Sequence, residues 1–129
     1  MDIYRADTKK ENSISFDGRT LLCADITEDD MICLAFKGPG EEGSGEAVLE
    51  IYDKSGKKRG EAAFDEAISH ICVNGFYVAV SHGDTVDIVN SKGKIKKTFE
   101  TPSPVKYAAP FSNGNAAVIF SGGNTTIMK

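Results

Sequence analysis

The chain has 129 residues, with 19 Asp and Glu against 15 Lys and Arg, a formal net charge of −4 and a pI near 5.1. That length suits one folded unit with a single core, and the acidic balance argues against nucleic-acid or anionic-membrane binding, which needs a basic footprint. No apolar run approaches about 18 residues, and charges from Asp2 to Arg19 break up the first turns of chain, so neither a spanning helix nor a signal peptide is expected within the sequence.

In chain order, short runs rich in β-formers predict strands near residues 20–26, 31–37, 47–53, 59–65, 67–74, 76–82, 85–90, 95–100, 105–111, 115–121 and 124–128, with two more near 2–5 and 12–16. Helices would need longer stretches at period 3.6. Between the runs stand turn signals: Lys54-Ser-Gly-Lys57 and Ser91-Lys-Gly-Lys94, Asn74-Gly75 and Asn113-Gly114, His82-Gly-Asp84 and Gly122-Gly-Asn124. Gly and Asn accept the positive φ that tight hairpins require.

The chain repeats itself. Residues 3–17 align without a gap on 51–65, with six identities: Ile3 with Ile51, Tyr4 with Tyr52, Lys9 and Lys10 with Lys57 and Lys58, Phe16 with Phe64, and Asp17 with Asp65. A second register, offset by 39, lays the segment from Asn74 on the segment from Asn113. The marker isoleucines Ile3, Ile51, Ile88 and Ile127 are 48, 37 and 39 apart, and the long first interval contains the Gly-rich insert 38–45. Naming the strands of each repeat a to d, the order is c-d, a-b-c-d, a-b-c-d, a-b-c. The expected fold is all-β: about three four-stranded antiparallel blades of β-propeller type, forming a single domain over 1–129, a partial propeller. The smallest propellers have about four blades. Either the sequence is part of a longer chain, the preferred reading, or two copies close one ring of about six blades.

Val73-Asn-Gly-Phe-Tyr-Val-Ala-Val80, Val86-Asp-Ile-Val-Asn-Ser-Lys-Gly-Lys94 and Phe111-Ser-Asn-Gly-Asn-Ala-Ala-Val-Ile-Phe-Ser-Gly122 resemble the C-terminal blades of a bacterial, Firmicute-type propeller family of unknown function related to quinoprotein-like and WD40-like propellers. The resemblance implies an extracytoplasmic propeller behind a membrane anchor outside this sequence; without it, the cytoplasm is the expected location. It brings no catalytic residues. The chain has no Trp, which weighs against WD40 proteins proper and against Trp-dependent quinoprotein and lectin propellers.

Candidate chemistry is sparse. Cys23, Cys33 and Cys72 are odd in number and lack CxxC spacing, so reduced thiols are expected. His70 and Cys72 at i and i+2 share one strand face and could share a soft cation, but no third ligand is visible, and Cys72 aligns with Cys23, where Leu21 replaces the His. Cys33 aligns with Ala79 and Val118, a small core slot. His82-Gly83-Asp84 could be half of an acid–base pair, though a b–c turn is preferred because Ser121-Gly-Gly-Asn124 keeps the turn and drops both ionisable groups. Thr27-Glu-Asp-Asp30 has carboxylates but not a calcium loop's spacing, and the insert 38–45 carries acids where a phosphate cradle would need none. The expectation is therefore no catalytic, cofactor or metal residues, and a non-enzymatic docking or scaffold module. The alternative is a hydrolase or lyase whose site assembles in the channel, marked by two ionisable groups in hydrogen-bond reach at its mouth. A third possibility is an assembly role, in which exposed blade edges recruit another protein by strand addition. Self-association through the terminal blades is also expected, by way of the apolar sides of Ile3, Tyr4, Val118 and Phe120.

Overall fold

A computed structural model of the chain describes residues 2–4, 10–14, 16, 18–26, 31–38 and 46–129, with the side chains of 2–4 and 10–13 left aside. The described residues form thirteen strands and no helix. β1 (Asp2–Tyr4) and β2 (Lys10–Ser13) make a hairpin. β3 (Leu21–Ile26), β4 (Ile32–Lys37), β5 (Ala47–Tyr52) and β6 (Lys58–Phe64) form the first complete blade, and β7 (His70–Asn74), β8 (Tyr77–His82), β9 (Thr85–Asn90) and β10 (Ile95–Glu100) the second. β11 (Val105–Pro110), β12 (Ala117–Ser121) and β13 (Asn124–Met128) form a three-stranded sheet. Every pairing is antiparallel between consecutive strands. The c-d, a-b-c-d, a-b-c-d, a-b-c order expected from the repeats is the order observed.

The marker isoleucines fix the register of each c–d hairpin. Ile3 pairs with Asn12, Ile51 with Gly60 and Ile88 with Lys97, and the next residue pairs six positions on in each case: Tyr4 with Lys10, Tyr52 with Lys58, Val89 with Ile95. A bulge therefore sits at the same place in all three hairpins, which strengthens the local twist. The hairpin turns are also copies. Gly56 and Gly93 take φ of 84° and 83°, and the side chains of Asp53 and Asn90 each accept two backbone N–H bonds from the turn. This register moves β2 to Lys10–Ser13 rather than 12–16, so Phe16 leaves its strand and packs edge-on against Phe36, 5.2 Å between centroids.

Blades pack face to face through three apolar clusters. Cys33, Leu49, Ile51 and Phe64 of the first blade meet Ile71, Val78, Val80 and Val89 of the second. The opposite face of the second, with Ala79, Val86, Ile88 and Phe99, meets Val105, Ala108, Ala117 and Ile119 of the last sheet. Ile32, Leu34 and Phe36 use the other face of the first blade to cover Ile14. Ile51, Ile88, Phe64 and Phe99 are buried, as their recurrence predicts. Where the second hairpin touches the first blade the approach is backbone on backbone: a Cβ on Gly60 would meet Lys92 C at 2.3 Å, and one on Gly93 would meet Glu61 O at 2.3 Å.

The three a strands stand side by side. Asp25 Oδ2 accepts the N–H of Val73 at 2.8 Å, and Asn74 Nδ2 donates to Pro110 O at 3.1 Å. Because each blade is a meander, all a–b and c–d turns lie at one end of the strands and the b–c turns and d–a connections at the other. The acidic stretch 27–30 and residues 39–45 of the Gly-rich insert lie outside the described residues; Gly38 N donates to Glu46 O at 2.8 Å, placing the insert as a b–c connection.

Candidate functional site

Among the described residues the buried polar ones are Glu50, Ser81 and Asp87. Glu50 precedes Ile51 and Asp87 precedes Ile88, so both carboxylates occupy the same place in strand c and face the preceding blade. A buried carboxylate must be paired or hydrogen-bonded. Arg19 Nη1 and Nη2 donate to Glu50 Oε2 and Oε1 at 2.9 and 3.1 Å, Tyr52 OH donates to Oε1 at 2.7 Å, and Lys58 Nζ lies 3.6 Å away. Arg19 also covers the Phe36 ring at 4.0 Å and donates from Nε to Phe16 O. Burial works against the Glu50 charge, but the hydrogen bonds from Arg19 and Tyr52 outweigh it and hold the carboxyl below the usual range.

Asp87 is held differently. His82 Nε2 contacts Asp87 Oδ2 at 2.6 Å, His82 Nδ1 contacts Glu66 Oε1 at 2.6 Å, and Thr98 Oγ1 donates to Asp87 Oδ1. Burial opposes the imidazolium, yet the bonds and charges of Glu66 and Asp87 prevail and raise the His82 pKa. A cavity of about 480 Å³ opens beside this group. Chemically the cluster is closed: a general base needs one ring nitrogen free for substrate, and here both nitrogens face carboxylates. Asp84, two residues after His82 in sequence, does not join it. His82-Gly83-Asp84 is the expected turn, with Gly83 at φ 61°, and its carbonyls anchor the following connection through Thr101 N to Asp84 O at 2.8 Å and Val105 N to Gly83 O at 2.9 Å.

His70 and Cys72 meet a tyrosine, not further ligands. Cys72 Sγ lies 3.3 Å from Tyr107 OH, and the His70 ring packs on Tyr107 at 4.7 Å with Nδ1 buried and without a hydrogen-bond partner. The hydrogen bond with Cys72 raises the Tyr107 pKa. Among the described residues no three His, Cys, Asp or Glu side chains gather as for a metal. Cys33 is fully buried, which pushes its thiol up to about 12. Cys23 is half-buried, and burial raises its thiol too.

The a–b and c–d end has a different character. Ile26, Phe76 and Phe111 stand at the a–b turns of three successive sheets and all are exposed, Ile26 and Phe76 by 60% and 59%. Ile95 adds a fourth apolar side chain at a c–d turn. Phe76 and Phe111 sit on adjoining turns, since a Cβ on Gly75 would touch Ser112. Between the two complete blades this end holds a cavity of about 350 Å³ lined by Ile51, Tyr52 and Phe76 and by the charged side chains of Asp53, Arg59 and Lys92.

A family model described as a family of unknown function, DUF5711, matches residues 1–129. The chain belongs to that family. Solved structures share its fold: the 644–1017 segment of HIRA superposes with a TM-score of 0.62 at 12% identity, over 84% of this chain and 36% of that one. A protein of unknown function from Bacteroides caccae gives 0.52 at 14% identity, over 96% and 50%. The chain thus spans about a third to a half of the length of these structures, and the likeness concerns the fold, a partial propeller of WD40 type. Comparison with curated proteins returned no significant match.

The buried carboxylates were absent from the residues the sequence singled out, although a signal existed: an acid precedes the marker isoleucine in Asp2-Ile3, Glu50-Ile51 and Asp87-Ile88. The exposed a–b side chains had a signal too, an apolar residue at or beside each a–b turn.

Proposed function

We propose that this member of the family is a non-enzymatic docking module that presents the a–b and c–d end of its blades to a protein partner. The observation that carries the reading is the recurrence of exposed Ile26, Phe76 and Phe111 at matching turns. A single exposed apolar residue needs no explanation, whereas a row of them on one end of a repeat fold supports an interaction surface. The His82 cluster supports it from the other side, because both ring nitrogens already face carboxylates. The test is a pull-down from the source cell with the chain and with its Ile26→Ser, Phe76→Ser, Phe111→Ser triple variant. The expected result is a partner retained by the first and lost by the second. Equal capture by both, or turnover of an ester, phosphoester or glycoside library that His82→Gln abolishes, would refute it.

A second association is proposed at the last sheet. Its outward face exposes Tyr107, Phe120 and Ile127, with Val118 beside Ile127 in the ladder, a contiguous apolar face suited to a second copy. Light scattering after size exclusion should show dimers that Phe120→Lys dissociates; a monomer at all concentrations would refute it.

A further inference from the structure

The net charge of −4 conceals a basic end. Residues 54–59 and 92–97, the two complete c–d hairpins, hold Lys54, Lys57, Lys58, Arg59, Lys92, Lys94, Lys96 and Lys97, eight of the 15 cations, and no acid. Acids cluster at the opposite end instead, as Asp65, Glu66, Asp84 and Glu100. The two hairpins differ in how far their charge is spent. Arg59 is committed to Asp53, with Nη2 to Oδ2 at 2.6 Å, and Lys58 reaches Glu61 at 3.0 Å. Lys92, Lys94, Lys96 and Lys97 have no carboxylate partner among the described residues; Lys96 instead donates to Asn113 O at 3.0 Å and lies over the Tyr77 ring.

Of these four, Lys92 lines the cavity together with the exposed Phe76, and Lys94, Lys96 and Lys97 follow it along the same hairpin. We infer that the docking end receives an acidic peptide segment, one large apolar side chain of which enters the cavity between the two complete blades while flanking carboxylates meet the Lys92–Lys97 hairpin. The inference rests on the docking reading and adds the partner's chemistry. Three observations select this occupant. At about 350 Å³ the cavity sits at the small end of ligand pockets, roughly 300–1,000 Å³, which suits one side chain rather than an extended ligand. Its wall is aromatic and aliphatic, through Ile51, Tyr52 and Phe76; of its charged lining, Asp53 is matched by Arg59 at 2.6 Å, which leaves Lys92 as the unmatched charge, the anchor-and-charge pattern of acidic motif recognition. Finally, a molecule of net charge −4 with acids at its far end repels an extended polyanion such as nucleic acid or a lipid surface, whereas a short segment feels only charges within about a Debye length, roughly 8–10 Å. Glu28, Asp29 and Asp30 follow Ile26 in sequence, and counted with Asp53 they give four carboxylates against the eight cations.

Selection of a random peptide library displayed on phage against the chain tests this. Enriched peptides should place Asp and Glu around one Phe, Tyr, Trp or Leu. Their affinity should fall at least about tenfold, about 1.4 kcal/mol, for Phe76→Ser and for Lys92→Glu, and should weaken as salt rises. Lys106→Glu, at the opposite end of strand a, should leave it unchanged, and circular dichroism should show all three variants folded. Enriched peptides without acids that still need Phe76 would overturn the acidic partner and leave the docking reading standing. No enrichment at all would overturn both. Tighter binding to phosphatidylserine vesicles or to single-stranded DNA than to any peptide would also overturn the inference.

Discussion

Arg19→Ala should destabilise the chain far more than loss of an exposed ion pair. Its partner Glu50 keeps only 6% of its side-chain surface in water, so truncating the arginine leaves a desolvated carboxylate with Tyr52 OH at 2.7 Å and Lys58 at 3.6 Å as its remaining support. Breaking a buried pair from one side costs about 3–5 kcal/mol. Arg19 itself is 30% exposed and Lys58 remains, which brings the expectation to about 2 kcal/mol, or a Tm lower by roughly 8 °C for a domain of this size. Replacing both charges behaves differently, because apolar side chains in the same space carry no desolvation cost. The double variant Arg19→Met, Glu50→Leu should lie within about 1 kcal/mol of the parent. Urea unfolding followed by far-ultraviolet circular dichroism gives both numbers. The reasoning fails if Arg19→Ala changes stability by less than about 0.5 kcal/mol, or if the double variant is as unstable as the sum of the two single ones.

Stability should depend on pH from both sides. The Glu50 pKa is lowered in the fold, so its contribution is present above the unfolded carboxyl value and lost as pH falls through the folded one; Glu50→Gln should flatten the acid limb of a melting profile. The His82 pKa is raised, so its contribution is present below the unfolded imidazole value and lost as pH climbs through the folded one, and His82→Gln should flatten the limb above neutrality. Gly93→Ala should cost about 3 kcal/mol or more, combining a positive φ with a backbone clash at 2.3 Å, whereas Gly123→Ala, at φ 95° but with nothing within 4 Å, should cost only about 1–2 kcal/mol; equal melting shifts would remove the hairpin contact from the argument. Cys33 should react last with a thiol reagent at pH 8, because burial pushes its thiol up to about 12; quantitative labelling in the folded protein before Cys23 or Cys72 would contradict that burial.

The features legible in the sequence are those decided within a few residues. Gly56 and Gly93 announce their turns because only a positive φ closes them, and the bulged register repeats because Ile3, Ile51 and Ile88 each start the same hairpin. Phe16 shows the limit of that logic: its alignment with Phe64 is real, yet β2 ends at Ser13 and the ring turns to Phe36 instead. The polar clusters depend on how blades dock, which strand periodicity does not encode. Glu66 and His82 are 16 positions apart and Arg19 and Glu50 are 31 apart, each pair joined across a connection between blades. Averaging hid the basic end as well, since one net charge sums hairpins and connections that lie at opposite ends of the strands. The repeat keeps the carboxylate before its marker isoleucine but changes the cation that holds it, an arginine from the preceding connection for Glu50 and a histidine of its own blade for Asp87. Such a position serves the joint between blades, where any desolvated acid must be matched. Among the described residues the lysines of 92–97 meet no carboxylate, and the unmatched charge of Lys92, in the same cavity lining as the exposed Phe76, is available to a partner.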